Sequence, residues 1–200
     1  TLDRSSAASD VYKRQTYSFI DQAAAALFGG GSDAVRIENP ISSEMTHMRP
    51  DLLPGLLAAA ARNQARGFMD LALFECGPVF SGGEPGEQDL HLTAIMVGHT
   101  APRDPFASRR KVDIYDAKAD AEAVLAQIGA PAKAQINRKL DGWWHPGRAG
   151  NIALGPNTLA TFGEIHPRVL RHFGIKGAAV SFTLRLSLIH ISEPTRQEAI

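Results

Sequence analysis

Phe68 to Cys76 is the segment that most restricts what this chain can become. Met69, Leu71 and Leu73 alternate with Phe68, Ala72 and Phe74, so an extended chain here is apolar on both faces. Such a run predicts a central strand covered on both sides, and therefore a sheet with helices against it. Part of that cover is legible just upstream. From about Asp51 to Arg66, apolar residues recur at 52, 53, 56, 57, 60 and 61, an i, i+3, i+4 stripe that predicts an amphipathic helix. Pro54 is tolerated because it falls in the first turn, where its missing N–H has no partner to lose. Gly67 supplies a left-handed exit. The leucines of the stripe, worth roughly 1.5–3 kcal/mol each when buried, must pin the helix to another surface.

The remaining elements are shorter. Thr16 to Ile20 predicts a short strand, Asp21 caps a helix over Gln22 to Phe28, and Gly29, Gly30 and Gly31 stop it. Val35 and Ile37 alternate in a second short strand, Ala34 to Glu38, before Asn39-Pro40 breaks into a loop. Ser81 to Glu87 is a Gly/Pro turn and Leu90 to Gly98 an antiparallel return strand, followed by a polar loop from His99 to Arg110. A second helix runs from about Asp116 to Ile128. Strands are expected at 134–138, 151–154, 159–164 and 178–185, with a hairpin turn at Gly155-Pro156-Asn157 and a short helix from His166-Pro167 to Phe173. Antiparallel strands with inserted helices give an α+β class with a mixed, largely antiparallel sheet.

The 200 residues are 44% hydrophobic, which suits one domain, and Lys+Arg equals Asp+Glu at 21 each. That balance supplies no global field for nucleic acid, so an RNA partner must meet a local patch. Cys76 stands alone, which excludes an internal disulfide and suits a reducing compartment. No apolar run approaches a membrane span and no signal peptide opens the chain, so a cytoplasmic protein is expected.

Both ends look foreign to the rest. Asp10 to Gln15 can be encoded by GAT GTG TAT AAG AGA CAG; the reverse complement encodes Leu-Ser-Leu-Ile-His-Ile, which is Leu186 to Ile191. Ser5 to Gln15 and Leu186 to Arg196 resemble the two arms of a transposase sequencing adapter. Residues 1–15 and 186–200 are therefore expected to be adapter-derived, leaving 16–185 as the native domain. Removing them deletes four basic and four acidic residues, so the charge balance is kept.

The order of pieces from Asn39 to Phe80 (Met-rich loop, two-Leu helix start, alanine helix, buried strand ending Glu-Cys-Gly) resembles one family closely. It is similar to the beta chain of phenylalanine–tRNA ligase, in the part that copies the fold of a class II synthetase catalytic core. His145-Pro146-Gly147-Arg148 and Gly163-Glu164-Ile165-His166-Pro167 resemble recurrent segments of the same chain. The resemblance implies an alpha2-beta2 assembly that charges tRNA(Phe) with phenylalanine using ATP and Mg²⁺. It further implies that the alpha subunit holds the catalytic residues, while this part is a noncatalytic scaffold that binds no cofactor itself.

Class II strands carry Phe-Arg-x-Glu, where Arg grips an ATP phosphate. In the matching positions this chain has Leu73 and Glu75, and a leucine offers phosphate no guanidinium fork. Glu75 is thus expected to be paired or hydrogen-bonded within the fold. Glu75, His145, Arg148, Glu164 and His166 make up the candidate pseudo-active site, with Arg168 a further anion contact. His145, Glu164, His166 and His172 could also suggest a metal site or a His–carboxylate base, but no His-x-x-x-His or Cys/His quartet spacing supports it. A hydrolase reading requires Glu75, His145, Glu164 and His166 to converge. A free-standing amino-acid or nucleotide binding module is a further alternative. In the family, the Met-rich loop and the helix after it stand in for the motif that builds the dimer interface. Met45, Met48, Leu52, Leu53 and Leu56 are the resulting alpha-subunit contacts, with an intramolecular core an equal reading of the leucines. Arg103, Arg109, Arg110 and Lys111 form a small basic cluster expected to be a solvated loop.

Overall fold

The computed structural model of the chain describes residues 11–100, 109–131 and 133–189. Arg103 and the outer parts of both flanks (1–10 and 190–200) lie outside them. The elements run β1 (Val11–Lys13), β2 (Phe19–Ile20), α1 (Gln22–Leu27), β3 (His47–Met48), α2 (Leu53–Ala65), β4 (Leu71–Phe80) and β5 (Gln88–Val97). There follow α3 (Ile114–Gln127), β6 (Gln135–Asn137), β7 (Trp144–Leu154), β8 (Asn157–Ile165), α4 (Pro167–Phe173), β9 (Ala179–Arg185) and α5 (Leu186–Ile189). Seven strands form one sheet in the order β1-β4-β5-β9-β8-β7-β6, and β2 pairs with β3 in a separate ribbon. All neighbours in the large sheet are antiparallel except β1, which runs parallel to β4. The fold is α+β, as expected.

Directly opposed residues of a ladder share a face, so the register sorts the sheet into two sides. Leu73 and Ile95 face α2 and α4, in a core with Leu53, Leu56, Leu57, Ile165 and Val169. Ala94, Phe162, Val180 and Phe182 face α3 and meet Ala117, Ala121 and Leu125. Gly163 permits the close approach of β7 and β8 on the α2 side of the sheet, where it lies opposite Ala149. A Cβ there would stand 2.2 Å from the Cβ of Ala149, and its φ of +154° is one that other residues rarely adopt.

Four expectations change. First, β4 is one strand from the edge, with only three residues of β1 outside it. Helix α3 packs on β8 and β9, so the α3-side face of β4 is only partly covered. Phe74 is half-buried, and Phe68 and Met69 precede the strand and are 60% and 46% exposed. The run is apolar on both sides, but only the α2 side is closed. Second, Ala34 to Glu38 is not a strand: Asp33–Val35 is a 3-10 turn, with a lone bridge from Arg36 to His47. Two alternating apolar residues are too few to hold a ladder. Third, β7 begins at Trp144 rather than Asn151. Its register breaks between Trp144 and Ala149, where Pro146 and Gly147 interrupt the alternation. Fourth, α3 starts at Ile114, because Asp113 and Asp116 close a reciprocal capping box.

The leucine stripe of α2 is core throughout. Leu52, Leu53, Leu56 and Leu57 are all 0% exposed within this one chain. The assignment of Leu52, Leu53 and Leu56 to an alpha-subunit contact is thereby corrected, since a side chain without accessible surface has none to offer a partner. Met45 and Met48 remain half-buried. Leu57→Ala should lower the unfolding free energy by about 2–5 kcal/mol, while Arg62→Ala on the exposed side of α2 should change it by less than about 0.5 kcal/mol. Urea unfolding followed by circular dichroism measures both.

Candidate functional site

Glu75 sits on the α2 side of β4 and is 2% exposed. Its charge is met by Arg49, whose NH1 donates to Oε1 at 2.6 Å. Thr16 completes the shell, donating its backbone N–H to Oε1 at 3.1 Å and its hydroxyl to Oε2 at 2.7 Å. Arg49 also donates from Nε to the Pro78 carbonyl at 3.0 Å. Gly77 makes room for this arrangement, since a Cβ there would lie 2.7 Å from Arg49 NH2. Leu73 is enclosed among the apolar side chains beneath α2. No cation replaces the arginine of Phe-Arg-x-Glu at that point, so the residues present do not fit an ATP phosphate.

The same face carries a polar row that the sequence did not reveal. Glu75 stands opposite Thr93, Thr93 opposite Thr183, Thr183 opposite Thr161, and Thr161 opposite Asn151. All five are buried. Thr93 and Thr183 share a hydrogen bond of 3.0 Å, and Thr161 Oγ1 donates to Asn151 Oδ1 at 2.7 Å. Asn151 Nδ2 donates to the Lys139 carbonyl. Two residues further along, on the same face, His91 lies opposite Gly77 and Arg185. Burial, then Arg185, pushes its pKa down to about 4, against a small opposing effect from Asp89. Asp51, at the entry to α2, is fully buried. Burial pushes its carboxyl up to about 6 against the Leu53 N–H it accepts at 2.8 Å; Asp141 adds to the rise and Arg185 opposes it. A Thr inside each of three otherwise largely apolar strands was the available signal for the row; nothing local announced Arg49 as the partner of Glu75, 26 positions away.

The other candidates gather elsewhere. Glu164 lies opposite Val180, which lies opposite Met96, in the row of Ala72. It therefore belongs to the α3 side of the sheet, whereas Glu75 belongs to the α2 side, three strands away. Arg148 pairs with Glu164 at 2.8 Å. The rings of His145 and His166 lie 6.5 Å apart. Each Nδ1 accepts a backbone N–H, His145 from Gly147 at 3.2 Å and His166, the N-cap of α4, from Arg168 at 3.1 Å. A general base needs that lone pair free. Metal ligation through Nε2 would require a proton on Nδ1, facing the same N–H. Glu75 does not converge with the other three, and the hydrolase reading falls. Among the described residues no three His, Cys, Asp or Glu side chains are grouped to hold a metal.

A groove of about 1090 Å³ opens beside Phe68, Met69, Phe74 and Met96, and none of the five pseudo-active-site candidates lines it. Two members of the basic cluster are engaged by acids: Arg109 bonds Asp70, and Arg110 bonds Asp116.

The fold has known counterparts. The phenylalanyl tRNA synthetase beta chain CLM domain matches residues 1–186. The chain belongs to that family. The phenylalanine–tRNA ligase beta subunit of Cereibacter sphaeroides is 71% identical over 184 residues, covering 90% of this chain and 23% of that protein. Its counterpart in Ruegeria pomeroyi is 69% identical over 170 residues, 84% of this chain and 21% of the relative. The chain thus spans about a quarter of the length of these relatives. A solved pyrrolysyl tRNA synthetase from Desulfitobacterium hafniense shares the fold with a TM-score of 0.63 at 13% identity, over 90% of this chain and 62% of that one. The CLM chain therefore keeps a synthetase fold around a glutamate that its own arginine has already engaged.

Two measurements check this site. Arg49→Ala and Glu75→Ala should each cost about 3–5 kcal/mol of stability, because each strands a buried charge; in a double-mutant cycle the pair should cost less than the two added together. Asp51 has a folded pKa above its unfolded value, so the native state binds more protons between about pH 4 and 6. Its stabilising contribution is fully present below that window and lost as pH rises through 6. Asp51→Asn keeps an acceptor for Leu53 and should raise stability at pH 7.5 by about 2–3 kcal/mol, with little gain near pH 4. Urea titrations across pH report the difference.

Proposed function

We propose that this chain is the synthetase-like scaffold of a phenylalanine–tRNA ligase beta subunit, without catalytic residues of its own. It works in an alpha2-beta2 assembly in the cytoplasm, where the alpha subunit activates phenylalanine with ATP and Mg²⁺ and charges tRNA(Phe). One observation carries the noncatalytic role: Glu75 is saturated by Arg49 and Thr16, and Leu73 is sealed under α2. A fold this close to a synthetase, with its phosphate-gripping position apolar, is suited to hold a partner rather than to react.

The relatives support the subunit reading over a free-standing binding module, because the chain corresponds to about a quarter of each. Met45 and Met48, half-buried beside the β2–β3 ribbon, remain the alpha-subunit contacts of choice, since Met adapts to a partner surface. The native domain is 16–185, with adapter-derived flanks. Three of the N-terminal flank residues lie as β1 along β4, and Ser187 of the other accepts the Leu90 N–H.

Co-expression of the complete beta subunit with alpha tests the scaffold. Glu75→Ala should reduce recovery of the assembly, while the complexes that do form activate phenylalanine at the wild-type rate, read by ATP–pyrophosphate exchange. Full assembly with wild-type tRNA and phenylalanine affinity but selectively lost activation would overturn the noncatalytic role.

A further inference from the structure

The chain is electrically neutral as a whole, yet its charges are not evenly spread. Residues 138–148 and 164–172 are held side by side, by His166 N–H on the Trp143 carbonyl at 2.8 Å and Arg168 NH2 on the Gly142 carbonyl at 2.9 Å. Together they carry Arg138, Lys139, Arg148, Arg168 and Arg171 against Asp141 and Glu164, and Arg148 already meets Glu164. All five cations are exposed. Between the segments stand His145 and His166. With each Nδ1 accepting a backbone N–H, each ring must keep its proton on Nε2. The pair therefore presents two neutral N–H donors on rings 6.5 Å apart, a separation comparable to that of successive phosphates along a nucleic-acid strand.

Two features decide what ligand suits this surface. The donors are fixed by backbone hydrogen bonds, and the cations beside them are exposed. Fixed neutral donors flanked by exposed cations suit phosphate oxygens, which need both hydrogen bonds and charge. Base recognition would need stacking surfaces or bidentate side chains directed at base edges. Trp144 is buried in the core, and Trp143 packs against Phe28, so neither ring is free to stack on a base. We propose that His145, Arg148, His166, Arg168 and Arg171 form a docking surface for the phosphate backbone of an RNA, read by shape and charge rather than by sequence. This deepens the ligase reading and rests on it, since it gives the scaffold a direct share in holding the RNA.

The test uses the complete beta subunit assembled with alpha, and two probes: a tRNA(Phe) transcript and an RNA duplex of unrelated sequence. Fluorescence anisotropy is recorded over a range of salt. Arg171→Ala should weaken binding of both probes several-fold and lower the slope of log K against log salt by about one; Arg168→Ala with Arg171→Ala should lower it by about two. Arg168→Lys should restore most of the slope, and Arg62→Ala on α2 should leave it as in wild type. Unchanged slopes in an intact assembly would overturn the proposal, as would loss of assembly with unchanged RNA affinity, which would assign the surface to an acidic protein partner. Failure of the wild-type assembly to charge tRNA would instead sink the ligase reading, and the duplex slopes would still decide this one.

Discussion

A carboxylate set into an apolar strand has to be neutralised where it stands, and the structure is arranged around how this is done at Glu75. Isolated burial of the charge would cost more than one domain can spare. Arg49 enters from the loop before α2, over the vacancy left by the missing side chain of Gly77. Its guanidinium ties that loop to Pro78 and Thr16 as well. The start of α2 is thereby fixed over the sheet, so that Leu53, Leu56 and Leu57 fall on Leu73 and Ile95. The ion pair sets position, and the leucines contribute the hydrophobic free energy.

In that pair, the reading of this chain as a scaffold and the persistence of the fold have one cause. A guanidinium at the Leu73 position would be directed into the space that α2 fills. With leucine there, the helix closes on the sheet and the glutamate is turned over to Arg49. The polar row from Glu75 through Thr93, Thr183 and Thr161 to Asn151 is likewise satisfied from within, by neighbouring hydroxyls, an amide and a loop carbonyl. What a catalytic core would keep open for substrate is here bonded to itself. Such a surface holds shape well and offers few groups to chemistry.

Much of this was legible locally. Asp21, Pro54, Gly67 and Gly174 mark helix ends by capping rules, and each marks one in the structure. The α2 stripe predicted its helix, and His166-Pro167 opened α4 as a junction of strand and helix should. Elements failed where periodicity was short or broken. Val35 and Ile37 were too few, and Pro146 and Gly147 hid the first half of β7. For the candidate site, the sequence showed that Glu75 needed a partner and that Leu73 could not grip phosphate. It did not show that Arg49 was the partner, because pairing between distant segments leaves no local periodic trace.

The sequence alone determined the class of fold, the helix that anchors it, and the leucine at position 73 where a guanidinium fork would be needed to grip phosphate, since these depend on residue type and local spacing. Tertiary structure decided which surfaces are spent and which are free. It buried the leucines that could have met a partner, placed Glu75 and Glu164 on opposite faces of the sheet, and set the rings of His145 and His166 side by side, each Nδ1 held by a backbone N–H. Those outcomes follow from strand register and from which groups the backbone happens to bring within hydrogen-bond reach. Neither is written in any one stretch of the chain.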